Sequence, residues 1–241
     1  NAYSYYGHTP LTAALSAVKY EYTTGNPTLP NYMTLLSQQS YKTVNGQSSL
    51  KLYKYNQTLP LGFMMNLNTE ASWKKNTGNP FATQNNFIKS AVNDGKNIFH
   101  QLTSSEVGKF SAEYSLEKGD KFTPSIDEKT MDVYFFCVTS SETLTATDQN
   151  YICHLGNVTP GSKITITASD NQAISSCYAY AFDNDAWSYD YQLLNANPYT
   201  VSEYSDTKIT GTVTSEEQGI MYTSIPYDKG WSVYVDGIES A

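Results

Sequence analysis

The stretch SSCYAYAFDNDAWSYDYQLLNANPY (Ser175–Tyr199) carries the change of pattern that decides the fold class. Tyr178, Tyr180 and Phe182 alternate with small residues, which puts the three rings on one face of a strand. The polar run Asp183-Asn184-Asp185 breaks that alternation. Leu193 and Leu194 then fall on a short helix, which must stop before Pro198 because the residue ahead of a proline is driven out of the helical region. This helix interrupts a region that otherwise reads as strands, and the pattern predicts an α+β chain that is mainly β.

On both sides of this stretch, from about residue 101 onward, short β-rich runs recur between turn signals. They include KFSAEYSL (Lys109–Leu116), MDVYFFCVTS (Met131–Ser140), ETLTATDQ (Glu142–Gln149), YICHLGNV (Tyr151–Val158) and SKITITAS (Ser162–Ser169). KITGTVTS (Lys208–Ser215), GIMYTSIPY (Gly219–Tyr227) and WSVYVDG (Trp231–Gly237) continue the series. The clearest turns are Lys118-Gly119-Asp120, Pro160-Gly161 and Asp236-Gly237. Strands at this spacing predict an antiparallel, jelly-roll-like β-sandwich over residues 101–241. Two readings of its end stay open: either the last strands are missing, or Ile238 to Ala241 form a short return strand.

Residues 1–100 predict a smaller mixed α/β region. In TPLTAALSAVKYEYT, Thr9 can cap a short helix, Pro10 fits its first position, and Lys19 to Thr23 alternate as a strand. SLKLYKYN (Ser49–Asn56) reads as a strand, and Phe63 to Leu67 as another after a turn at Pro60 and Gly62. NPFATQNNFIKSAVNDG (Asn79–Gly95) reads as a helix with Phe87, Ile88, Ala91 and Val92 on one face and Asp94-Gly95 at its end.

Composition narrows the function. The 241 residues are 39% hydrophobic, enough for a core. No run approaches the 18 consecutive apolar residues that a membrane-crossing helix needs, and no signal-peptide pattern is visible at Asn1. The net charge is −8, and all 15 basic residues are lysines. Without arginine there is no planar fork for phosphates, and the acidic balance argues against nucleic acid as a partner. Cys137, Cys153 and Cys177 are odd in number and lack C-x-x-C spacing, so they read as small buried residues with at most one bridged pair. The 21 tyrosines suit exposed β-structure outside the cell, or sugar binding through ring faces.

The candidate site lies in the opening stretch. Asp183 and Asp185 form an Asp-x-Asp of the kind that holds a divalent ion in many nucleotide-sugar transferases, and their hard oxygens suit Ca²⁺. The opposing reading is a polar turn with an aspartate as helix cap. Tyr178, Tyr180 and Phe182, with Trp187, Tyr189 and Tyr191 nearby, form a stacking platform for sugars if exposed and plain core if buried. The ligand-binding candidates are therefore Tyr178, Tyr180, Trp187, Tyr189, Asp183 and Asp185. Trp231 is expected in the core. His8, His100 and His154 are far apart and lack a ligand partner at i+2 or i+4, so no metal site or cofactor is assigned. No G-x-S-x-G elbow, Walker loop or H-E-x-x-H is present, and no catalytic residue is nominated.

Several segments, in order, resemble the YfhO family of bacterial membrane proteins. SIPYDKGWSVYVDG (Ser224–Gly237) is similar to that family's C-terminal signature. LSAVKYEYT (Leu15–Thr23), LYKYNQTLPLGFMMN (Leu52–Asn66), NPFATQNNFIKSAV (Asn79–Val92), YICHLGNVTPGSKITIT (Tyr151–Thr167) and YAFDNDAW (Tyr180–Trp187) resemble further family segments. The resemblance implies a polytopic parent with a membrane part like GT-C glycosyltransferases, which uses a lipid-linked sugar donor and decorates teichoic acid in a Gram-positive bacterium. The catalytic acid of such a parent sits between early membrane helices, outside this chain. This chain would then be an extracytoplasmic accessory domain that positions the acceptor. Its partners would be the membrane-embedded part of the same polypeptide and a cell-surface glycan or teichoic acid. A carbohydrate-binding module and a structural domain without ligand are the alternatives.

Overall fold

The computed structural model describes residues 9–27, 29–75, 78–102, 114–116, 121–122, 131–139, 152–158, 166–167 and 172–240. Among these the chain is mainly β, and every strand pairing is antiparallel. The α+β class therefore holds. The pairings distribute the strands over several sheets and do not by themselves define one two-layered sandwich.

The chain enters through α1 (Pro10–Leu15), which starts as its sequence dictates. The Thr9 hydroxyl accepts from Thr12 N–H, the Thr12 side chain answers the Thr9 N–H, and Pro10 occupies a position where no amide is needed. A three-stranded sheet follows, built from β1 (Tyr20–Thr23), β2 (Met33–Thr43) and β3 (Gly46–Tyr55) in the order β1-β3-β2. β2 was not legible from the runs above. Its residues after Met33 are exposed, so it lacks the alternation that marks a half-buried strand. Gly46, at φ +124°, starts β3 directly after the turn.

Next come β4 (Gly62–Asn66), α2 (Thr69–Ser72), α3 (Pro80–Ala91) and β5 (Phe99–Gln101). The amide side chains of α3 tie distant segments together. Asn79 caps the helix by accepting from Phe81 and Ala82 N–H, and its own amide donates to Tyr180 Oη at 2.9 Å. The Thr9 hydroxyl donates to Gln84 Oε1 at 2.6 Å. Asn85 Oδ1 accepts from both Ile98 and Phe99 N–H at 3.0 Å, and Asn85 Nδ2 donates to Phe99 O at 2.8 Å. The helix ends at Ala91, three residues before Asp94. Asp94 is left-handed at φ +59°, and a Cβ on Gly95 would meet the Ile88 carbonyl at 2.8 Å, so the turn needs that glycine for close approach rather than as a cap.

The largest sheet has the path β5-β11-β8-β9, with β6 also paired to β11. Its strands are β6 (Tyr114–Leu116), β8 (Met131–Thr139), β9 (Ile152–Val158) and β11 (Gln172–Phe182), with β7 (Lys121–Phe122) and β10 (Ile166–Thr167) forming a separate pair. The register sets Cys137 opposite Cys177. The run Glu142–Gln149 and the turns at Lys118-Gly119-Asp120 and Pro160-Gly161 lie outside the described residues.

α4 (Asn184–Leu194) follows β11, and three two-stranded pairs come after it, two of them hairpins of sequential strands. β12 (Thr200–Tyr204) pairs with β13 (Ile209–Thr212), β14 (Gly219–Thr223) returns to pair with β4, and β15 (Val233–Val235) pairs with β16 (Ile238–Ser240). Asp236 and Gly237 both have positive φ, the signature of a two-residue turn matched to strand twist. Ile238 to Ser240 are thus the return strand. Trp231 is corrected by the structure: it is 43% exposed, because this last hairpin stands off the core.

The core gathers residues from both sides of position 100. Leu11, Leu59, Phe63, Phe81, Ile88, Phe99, Tyr134, Phe182, Trp187 and Leu194 belong to one buried cluster. Its centre is aromatic, with Phe81 4.5 Å from Tyr180 and 4.9 Å from Phe99, and Phe99 5.1 Å from Phe182 between ring centroids. Replacing Asn85 with alanine removes three bonds to the backbone of Ile98 and Phe99, at the start of β5, where both side chains are part of this cluster. Denaturant unfolding of Asn85→Ala is expected to show a loss of at least about 3 kcal/mol, at about one kcal/mol or more for each of the three groups left unsatisfied. A loss below about 1 kcal/mol would mean that water replaces the amide.

Candidate functional site

The candidate residues sit where β11 passes into α4. Asp183 is the cap of that helix: its Oδ1 accepts from Asp185 N–H at 3.0 Å and Ala186 N–H at 2.9 Å. The carboxylate also meets the positive end of an 11-residue helix. Its other oxygen lies 3.3 Å from His100 Nε2, across the β5–β11 ladder. Asp185 is exposed in the first turn. The Asp-x-Asp is thus arranged as a cap, with one oxygen of Asp183 committed to backbone amides. Among the described residues, no group of three or more histidine, cysteine, aspartate or glutamate side chains is placed to hold a metal ion.

The aromatic candidates divide between inside and outside. Tyr180 and Phe182 are 7% and 5% exposed and belong to the central aromatic cluster. Trp187 is 1% exposed, on the inner face of α4 against Tyr191 at 5.8 Å. Its indole N–H finds no acceptor among the described residues. The side chain of Tyr178 lies outside what is described. Of the six candidates, Tyr189 and Asp185 are at the surface, Asp183 is half-buried, and Tyr180 and Trp187 are core. The reason is geometric: one face of β11 packs on α3 and β5 through Phe81 and Phe99, so rings that alternate into that face are buried.

Tyr189 is part of a second arrangement that sequence reading missed. The Lys96 ammonium lies 4.0 Å from the Tyr189 ring centroid. The neighbouring residue, Asp190, is fully buried and accepts from Lys96 N–H through both oxygens, at 3.0 and 3.2 Å. Adjacent residues of α4 therefore grip the backbone and the side chain of one lysine in the α3–β5 connection. Burial pushes the Asp190 carboxyl up to about 6 from 3.8, against the lowering effect of the Lys96 amide and ammonium. A sequence signal existed only in part: an aspartate at the helical spacing of apolar neighbours reads as an exception, and its partner is 94 residues away.

His154 stacks on Tyr134 at 4.5 Å, and His8 lies outside the described residues. The three histidines do not form a described constellation.

The arrangement is that of an assembled body in which the described acidic and aromatic residues of the β11–α4 junction cap, clamp and pack. The comparison with known families then defines the class. A family model described as "Bacterial membrane protein YfhO" matches residues 1–137 and 120–241, which together span the chain. The chain belongs to the YfhO family. No curated protein and no solved structure matches it. Among the described residues, no helix is long and apolar enough to cross a membrane.

The buried carboxyl gives a signed pH dependence. Its folded value lies above its unfolded one, so folding favours the protonated form. The stabilisation is full below about 3.8 and disappears as pH rises through about 6. Between pH 7 and pH 5 it adds about 1.4 kcal/mol of stability. Unfolding of wild type and Asp190→Asn at several pH values is expected to differ by that slope. Parallel curves would show that Asp190 is ionised in the fold down to its unfolded range.

Proposed function

We propose that this chain is the extracytoplasmic accessory domain of a polytopic YfhO-family membrane protein. It positions a cell-surface acceptor polymer, a teichoic acid or related glycan, for a glycosyltransferase-like part embedded in the membrane. The observation that carries the reading is the family match across the chain. Its described α-helices run from four to twelve residues, far below the roughly 20 needed to span a bilayer. In this reading the described residues lie beside the bilayer, and transfer chemistry belongs to the other part of the polypeptide.

Burial of Tyr180, Phe182 and Trp187 favours a second reading, a structural domain with no ligand, over a sugar-binding module built on that row. The two readings predict different calorimetry. Titration with purified lipoteichoic acid and its component sugars is expected to give saturable heat for the polymer. Trp231, exposed on the last hairpin, is available as a fluorescent reporter. Tyr189→Ala tests the β11–α4 surface, whereas Trp187→Ala removes a core residue and reports stability. No heat with polymer or sugars at millimolar concentration would leave the structural reading.

A further inference from the structure

Three of the exposed tyrosine rings lie on the three-stranded sheet. Cross-strand partners share a face in an antiparallel sheet. The register pairs Tyr20 with Lys54 and Tyr22 with Leu52, then Gln39 with Leu50 and Tyr41 with Ser48. These positions form one face. Tyr20 is 48%, Tyr22 67%, Tyr41 42% and Leu50 40% exposed, and Lys54 is exposed beside them. The opposite face turns inward at the C-terminal end of β3, where Tyr55 is 4% exposed and Tyr53 packs against the core, while β2 beyond Met33 is exposed on both faces. Exposure of Tyr20 and Tyr22 therefore follows from the pleat of strands backed by Tyr53 and Tyr55, whereas Tyr41 stands on the part of the β2–β3 hairpin that is exposed on both faces.

From these observations we propose that the outer face of the β1-β3-β2 sheet binds an anionic polysaccharide chain. The assignment rests on the acceptor-positioning reading above and names its surface and ligand chemistry. Three features select this occupant. Tyr20 and Tyr22 are two residues apart, hence about 6.6 Å, and the row to Tyr41 covers about 20 Å along the strands, a length that suits a polymer more than a single sugar. Tyrosine rings supply broad apolar faces with a polar edge, and Gln39 with its hydroxyl-bearing neighbours supplies hydrogen-bonding groups around them. The charge is complementary as well. The chain carries −8, yet the paired positions of this face hold Lys54 and no carboxylate. The Lys19 ammonium lies 5.7 Å from the Tyr20 ring, and Glu21 points to the other face, where it accepts from Tyr55 Oη. Lys42 and Lys51 stand at reverse-face positions, so the sheet as a whole is positive within a chain of net charge −8, and an anionic chain is drawn to it.

The test compares dextran sulfate with neutral dextran on the 241-residue chain at low and at physiological salt. Expected is binding of dextran sulfate at least fivefold tighter than dextran. A tenfold or greater loss is expected in Tyr20→Ala/Tyr22→Ala. In Lys54→Gln a weaker loss should come with a shallower salt dependence. Circular dichroism should be unchanged, because all three side chains are exposed. Dextran sulfate binding that the variants leave intact would overturn the proposal. So would light scattering that shows the same face closed by a second copy and opened by the double variant. Lipoteichoic acid binding that survives the tyrosine changes would overturn this site while leaving the acceptor reading standing. If the sheet binds dextran sulfate as expected and lipoteichoic acid does not bind, the acceptor reading fails and the sheet assignment holds.

Discussion

The amide of Asn85 is the interaction on which much of the body depends. β5 is three residues long and forms the end strand of the largest sheet. On one side it pairs with β11, and near its start no further strand among the described residues satisfies its backbone. Asn85 takes the place of that strand, accepting from two consecutive amides and donating to a carbonyl. A side chain on a helix thus completes a strand's hydrogen bonding in a buried setting, where each unmade bond is costly. Helix α3 is thereby fixed against the sheet, and Phe81, Phe87 and Ile88 reach the core from a defined register. The same helix carries Asn79 to Tyr180 and Gln84 to Thr9, so its polar residues connect three parts of the chain distant in sequence.

How much of this was legible in the sequence depended on whether the signal was local. The α1 cap, the strand at Ser49–Asn56, the helix from Pro80 and the stop before Pro198 rest on capping and turn chemistry within a few residues, and they are found where the pattern put them. β2 was missed because an exposed strand has no reason to alternate. Trp231 was misplaced because a large aromatic was assigned by residue type, while the β15–β16 hairpin makes its own turn without the core. The site was harder still. Asp183 was readable as a cap, since capping is local. The inward direction of Tyr180 and Phe182 was not, because alternation gives a shared face without saying which face is buried.

The Lys96 clamp shows why a buried charge can remain in such a fold. Asp190 loses hydration, yet both its oxygens meet a backbone amide that would otherwise lack a partner, and the lysine side chain above it covers Tyr189. Replacing the carboxylate by an apolar residue would orphan the Lys96 amide, so desolvation and satisfaction are coupled. Its raised pKa is the trace of that compromise.

The separation of aromatic residues into two sets has a consequence for function. The inner set, around Phe81, Phe99, Tyr134 and Tyr180, is fixed by tight packing and gives the body rigidity. The outer set on β1, β2 and β3 is exposed, yet β3 is held to that body through Tyr55 and Tyr53 on its reverse side. Stacking on a ligand loses least entropy when rings are already positioned by the strand they stand on. Tyr20 and Tyr22, backed in the same sheet by buried Tyr55 and half-buried Tyr53, have that property, and Tyr180, Phe182 and Trp187 of the β11–α4 junction, turned inward, do not. The proposed contact with a polymer therefore belongs on the first sheet, while the described junction residues cap and pack the body.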